Sequence, residues 1–226
     1  MKVFSRYAVY YAPEAGLAAF GARWLGWDAQ TGQARSHLPN TGLPIAELTE
    51  TPRKYGLHGT LKPPFKLAEG RMVEDLDAAL THLASQQPSF DIADITLRSI
   101  NGFLAITPKN PCPALENLAR ACVQNLDGFR APASPSELAR RRVAGLSDAQ
   151  ESNLMRWGYP YVMQEFHFHL TLTGRLAPDV AKPVQQYLQA ALADTLCAPL
   201  PVREICLFRE AEDGYFHIIK RYALSA

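Results

Sequence analysis

The sequence predicts an α+β fold, bilobal and internally duplicated, with antiparallel sheets lining a central cleft and helices on the outside. Three observations carry this expectation. Short runs rich in aromatic and β-branched residues alternate with amphipathic helical stretches. The order of these elements in the first half returns in the second. Each half also holds one His-x-Thr tripeptide inside a strand-like run.

Residues 3–11 (VFSRYAVYY) read as a strand that ends near Pro13, and a helix follows over 14–25. Residues 28–43, rich in Gly, Asn and Ser, read as loop, and a helical turn fits 44–50. PRKYGLHGTLKPPF at 52–65 holds a short strand closed by two prolines. The spacing of Met72, Leu76, Leu80 and Leu83 predicts a helix over 71–86. Strands are expected at 89–99 and 102–107 around the turn at Asn101-Gly102, followed by a helix at 111–126. In 128–160, Ser134 or Ser136 caps a helix through about 144, and Ser147 caps a second through 157. A strand at 165–174, a helix at 178–196 and strands at 202–209 and 215–222 complete the chain.

Strand, proline, helix, His-x-Thr strand, helix and strand thus occur twice. The first repeat covers about 1–100 and the second about 101–226, within one domain, and the second carries an insertion at about 128–160. Pro13 and Pro108 fall at matching points. An approximate two-fold relation would set the two His-x-Thr strands on opposite sides of one cleft.

A chain of 226 residues can bury roughly 70% of its unfolded surface, so its core needs neither disulfide nor metal. Net charge is +1, which gives no global field to draw it to nucleic acid or membrane. Cys112, Cys122, Cys197 and Cys206 form no CxxC pair and read as reduced thiols. MKVFSRYAVYYAPEAG lacks the apolar core of a signal peptide, and no run approaches the roughly 20 apolar residues of a membrane span. A cytoplasmic protein without cofactor or metal is expected, a monomer with no stable nucleic-acid partner. The arginine run 140–142 reads as a solvated face, with a phosphate-facing cluster as the alternative.

Strand geometry sends alternate residues to one face. His58, Thr60 and Lys62 therefore share a side opposite Leu57, Gly59 and Leu61. Likewise His167, His169, Thr171 and Thr173 oppose Phe166, Phe168, Leu170 and Leu172. A neutral imidazole accepts a proton from an attacking hydroxyl, and a protonated one donates to a leaving oxygen. Two imidazoles astride a phosphorus supply base and acid, and threonine hydroxyls can hold the non-bridging oxygens. His58 and His169 are thus the expected catalytic pair, with Thr60 and Thr171 as phosphate binders and a small phosphorylated molecule as substrate.

HGTL at 58–61 and HLTL at 169–172 resemble the paired signature of the 2H phosphoesterase superfamily. The resemblance implies a duplicated α+β fold with both motifs in a central cleft. It also implies chemistry such as cyclic phosphodiester opening on 2′,3′-cyclic nucleotides or ADP-ribose cyclic phosphate, or RNA end-processing. The longer strings RYAVYYAP, WLGWD, PRKYGLHGTLKPPF and FHFHLTLTG resemble a branch found beside bacterial phosphonate-degradation genes. Gly59 departs from the apolar residue that many members carry between histidine and threonine. It allows close backbone approach or relieves packing.

Lys62 is expected to meet a phosphate as a point charge. Lys54 and Tyr55 would rim the cleft, and Tyr7 and Tyr161 could stack on a base or sugar. Two other readings use the same residues. One is a binding module for a nucleotide or phosphosugar without turnover. The other is a metal hydrolase built on His167 and His169.

Overall fold

The computed structural model describes residues 6–143 and 145–226. The part of the first expected strand at 3–5, the opening of the N-terminal stretch and the helix end at 144 lie outside the described residues.

Seven strands form one sheet, and every neighbouring pair runs antiparallel. The first strand, β1 (Tyr7–Tyr11), is followed by α1 (Ala15–Leu25), the two-residue strands β2 (Trp27–Asp28) and β3 (Gln33–Ala34), and the turns α2 (Ile45–Leu48) and α3 (Glu50–Arg53). Next come β4 (Gly59–Phe65), α4 (Val73–Ser85), β5 (Phe90–Ile92), β6 (Ile95–Ile100) and β7 (Phe103–Pro108). The helices α5 (Pro113–Asn125), α6 (Pro135–Arg142) and α7 (Asp148–Trp157) precede β8 (Leu170–Thr171). The chain ends with α8 (Pro178–Ala191), α9 (Ala193–Leu196), β9 (Leu200–Val202), β10 (Glu204–Glu210) and β11 (Phe216–Ala223).

The sheet order is β11-β10-β1-β4-β8-β7-β6, and β5 pairs separately with β9. When β1, β4, β5 and β6 are matched with β7, β8, β9 and β10, the order reads the same outward from β4–β8 in either direction. The matched strands β6 and β10 have crossed over: β10 lies beside β1, and β6 beside β7. Halves of the sequence and halves of the sheet therefore do not coincide.

Apolar side chains of α1, α4, α5 and α8 cover one face of this sheet. Trp24, Leu76, Leu80, Leu118 and Leu188 meet Val9, Leu61, Ile106, Leu170 and Leu207 in one buried cluster. On the other face a smaller cluster of Ala8, Tyr10, Trp27, Phe208 and Phe216 covers only the β11–β10–β1 side.

Local signals explain several elements. Asn101 and Gly102 both have positive φ, at 47° and 90°, and close the β6–β7 hairpin as a two-residue turn. The hydroxyl of Ser134 accepts the Glu137 N–H and that of Ser147 the Gln150 N–H, so both insertion helices start with a capping box. Other expectations change. The 89–99 strand splits at Ala93-Asp94, because Phe90–Ile92 leave the main sheet for β9. The 178–196 helix breaks at Leu192. The 165–174 strand shrinks to Leu170–Thr171 behind a 3-10 turn over Met163–Glu165, and only these two residues pair with neighbouring strands. Strand β4 runs through Pro63 and Pro64 instead of stopping there. Its register to β1 slips between Val9–Lys62 and Tyr7–Phe65, and such a bulge tolerates residues that cannot donate to the ladder.

Candidate active site

His58 and His169 occupy equivalent places, each one residue before a central strand begins. The pair Gly59–Leu170 joins those strands. Antiparallel register then sets His58 opposite Thr171 and Thr60 opposite His169. Directly opposed side chains sit about 5 Å apart at Cβ. All four point away from Gly59 and Leu170, and hence away from the helix-covered face.

Both rings make the same local hydrogen bond. His58 Nδ1 lies 3.0 Å from the Gly56 carbonyl, and His169 Nδ1 lies 2.8 Å from the His167 carbonyl. A carbonyl can only accept, so each Nδ1 carries the proton and each Nε2 keeps its lone pair. Gly56, with φ of 69°, makes the turn that aims its carbonyl back at His58. The hydroxyls of Thr60 and Thr171, both half-buried, bond to no described protein group and are open to a ligand.

The histidines differ in surroundings. Tyr10 packs on the His58 ring at 4.1 Å between centroids, with Tyr55 at 5.4 Å and Phe208 at 6.4 Å. Burial lowers its pKa to about 4, the Gly56 carbonyl opposes this, and the neighbouring His169 adds to the fall. His169 has Phe103 at 5.7 Å. Its pKa is lowered from 6.5 by burial, against the pull of the His167 carbonyl. Both imidazoles are neutral at pH 7.

Gly59 has a packing cause. A Cβ there would lie 2.2 Å from Cε2 of Phe168. That ring lies on the helix-covered face, one residue before His169 and edge-on to Tyr11 at 5.9 Å.

Lys62 is a correction. Alternation placed it beside His58, but Thr60 pairs with Tyr10 and Lys62 with Val9, so Leu61 is an extra residue in β4. A bulge of one residue reverses every later side chain. Lys62 therefore lies among helices, 2% exposed, with Nζ donating to the Val123 carbonyl at 3.2 Å and 3.9 Å from Asp127. Burial lowers its pKa to about 8. Lys62→Met, which keeps the volume and removes the buried charge, is expected to preserve turnover and shift stability by less than about 1.5 kcal/mol. A Tm comparison and an activity assay check both.

Tyr7 faces the same apolar core and is buried there, away from the histidines. Lys54 is half-buried, with its ammonium 5.1 Å from the Tyr55 ring centroid. Tyr161 is exposed and leans on Tyr159 at 5.7 Å. Thr173 is buried and accepts the Leu104 N–H at 2.9 Å, a structural role. His167 is exposed, and among the described residues no three His, Cys, Asp or Glu side chains gather at metal-binding distance. Sequence reasoning missed Tyr10, Phe208 and Phe103. Tyr10 carried a signal, since its neighbours Val9 and Tyr11 belong to the opposite face of the same strand.

Fold and site define an antiparallel α+β protein with a paired-histidine centre on the open face of its sheet. Residues 60–217 match the family described as "Protein of unknown function (DUF1045)", and the chain belongs to that family. It is 33% identical over 222 residues to a ribose 1,5-bisphosphate phosphokinase PhnN of Janthinobacterium sp. (strain Marseille), covering 93% of this chain and 48% of that protein. A protein of the same name from Laribacter hongkongensis (strain HLHK9) is 33% identical over 211 residues, covering 92% and 49%. The chain thus spans about half the length of these relatives. Among solved structures, Escherichia coli LigT in apo form aligns over 98% of both chains at 16% identity and a TM-score of 0.47. A phosphoesterase aligns over 99% of both at 17% and 0.44. No helix among the described residues is long and apolar enough to cross a membrane.

Proposed function

We propose that this protein is a metal-independent phosphodiesterase of the 2H type that opens a cyclic phosphate on a ribose-type or nucleotide substrate. The observation that carries the reading is the crossed square of two histidines and two threonines, each histidine held in the same tautomer. In it, one Nε2 takes a proton from water as the water oxygen bonds to phosphorus. The other imidazole, protonated, gives its proton to the ribose oxygen as the P–O bond breaks. The product is a phosphomonoester, and the two protons re-equilibrate with solvent. Thr60 and Thr171 donate to the non-bridging oxygens.

The difference in surroundings supports a division of roles. His58, pressed between aromatic rings, resists charge more and serves as base, and His169 serves as acid. Sharing one cleft between two duplicated halves suits this division. The relatives' name refers to a phosphorylated ribose, and the motif strings resemble a phosphonate-linked branch, so a ribose phosphate from phosphonate breakdown fits as substrate.

The pH dependence tests the assignment. Activity needs His58 neutral and His169 protonated. The kcat/KM of a cyclic diester should therefore rise through about pH 4 and fall again below the ordinary histidine value of 6.5. An optimum above pH 7.5 would contradict these roles.

A further inference from the structure

One pocket, between α6 and the outer end of the β1–β4 pair, is lined by Arg6, Lys66, Arg130, Arg140 and Arg141, with Glu137 the carboxylate among them. Two of these cations are already matched. Arg6 grips Glu210 with two nitrogens at 2.7 and 2.5 Å, and Arg130 grips Asp127 at 2.8 and 3.3 Å. Glu137 accepts the Ser134 N–H at the α6 cap. Five cations against Glu210, Asp127 and Glu137 leave two positive charges in a chain whose net charge is +1.

Arg141 is the key group. It is half-buried, its guanidinium lies 4.6 Å from the Tyr159 ring centroid, and among the described residues no carboxylate pairs with it. Burial and the positive Arg140 and Arg6 act against its charge, and Glu137 and Tyr159 only partly offset them. A desolvated guanidinium without a counter-charge is costly unless an anion completes it. Its neighbour Arg142 points elsewhere and pairs with Glu151 in solvent.

Through Arg6 the pocket is linked to the histidine site by a chain of side-chain contacts. Tyr55 stands 5.4 Å from His58 between ring centroids. Arg6 lies over Phe216, whose ring is 4.8 Å from Tyr55. These contacts put the Arg6 side of the pocket, which Arg141 also lines, three ring contacts from His58.

We infer that this pocket binds a second, non-reacting phosphate of the substrate, with Arg141 as its principal ligand and Arg140 and Lys66 adding charge. The proposal rests on the phosphoester reading of the histidine pair and deepens it. The preferred substrate is a cyclic phosphate that bears a further phosphomonoester or diphosphate, the planar fork of Arg141 suiting phosphate oxygens.

The test compares kcat/KM for adenosine 2′,3′-cyclic phosphate with that of the same molecule carrying a 5′-phosphate. The wild type should prefer the 5′-phosphorylated form by tenfold or more. Arg141→Gln should bring the ratio close to one, and Arg142→Gln should leave it as in wild type. A ratio near one in the wild type, or a preference that survives Arg141→Gln, overturns the inference. A second arm separates this failure from failure of the catalytic reading. Inorganic pyrophosphate binding is measured by calorimetry on a His58→Asn/His169→Asn variant. Binding that persists there and drops at least tenfold on adding Arg141→Gln supports the pocket whatever the histidines do. Undetectable binding, or binding indifferent to Arg141, argues against it. Matching thermal midpoints establish that Arg141→Gln is folded.

Discussion

His58→Asn and His169→Asn are each expected to lower kcat/KM for a cyclic phosphate by about 10² to 10⁴, the usual worth of a positioned acid or base. The physical reason is the division of labour in one square. Without His58, nothing removes the proton from the attacking water. Without His169, the ribose oxygen must leave unprotonated. Because both act in one transition state, their losses do not multiply, and the double variant should fall little below the weaker single one. Thr60→Val and Thr171→Val remove donors to the non-bridging oxygens while keeping shape, and each should cost a factor on the order of 10². Steady-state kinetics measures all of these. Among the described residues, the only hydrogen bond of each imidazole is the local one to a carbonyl two residues back, and a Tm comparison separates the loss of its ring packing from the loss of chemistry. Activity of either histidine variant within tenfold of wild type would refute the assignment.

Gly59→Ala is expected to be the most damaging change outside those four residues. The added Cβ would meet Phe168 at 2.2 Å, and the ring cannot retreat freely because it is buried. Overpacking of this kind costs about 1–3 kcal/mol, occasionally more. The functional cost exceeds the stability cost, because Phe168 adjoins His169 and Gly59 pairs with Leu170 across the strand. A displaced ring would pull His169 out of line with Thr60, and small misplacements cost about 10² in rate. Phe168→Leu should restore part of the lost Tm and kcat in the double variant, a coupling that a cycle of the four proteins measures. Wild-type Tm and kcat in Gly59→Ala would remove the packing explanation.

The sequence exposed what depends on neighbours along the chain. Asn101-Gly102 specified a turn by backbone preference alone, and Ser134 and Ser147 specified helix starts by capping. The His-x-Thr pairs were legible because alternation needs only local geometry, and the matched order of elements brought the two strands together. Three features were hidden because they depend on distant partners. The bulge at Leu61 exists only relative to β1, so Lys62 looked like a site residue. The exchange of β6 and β10 between halves of the sheet follows no local rule. The arginines at 140–142 read as one charged run, yet helix geometry turns Arg142 to Glu151 and Arg141 to Tyr159.

The most direct measurement is phosphorus NMR of ribose-type and nucleoside cyclic phosphates incubated with the protein in excess chelator. The account predicts that a cyclic resonance is replaced by that of a phosphomonoester, and that His58→Asn and His169→Asn stop the conversion. Cyclic phosphates that bind but stay intact would make this a binding protein, and conversion abolished by chelator would require a metal that the two-histidine mechanism does not use.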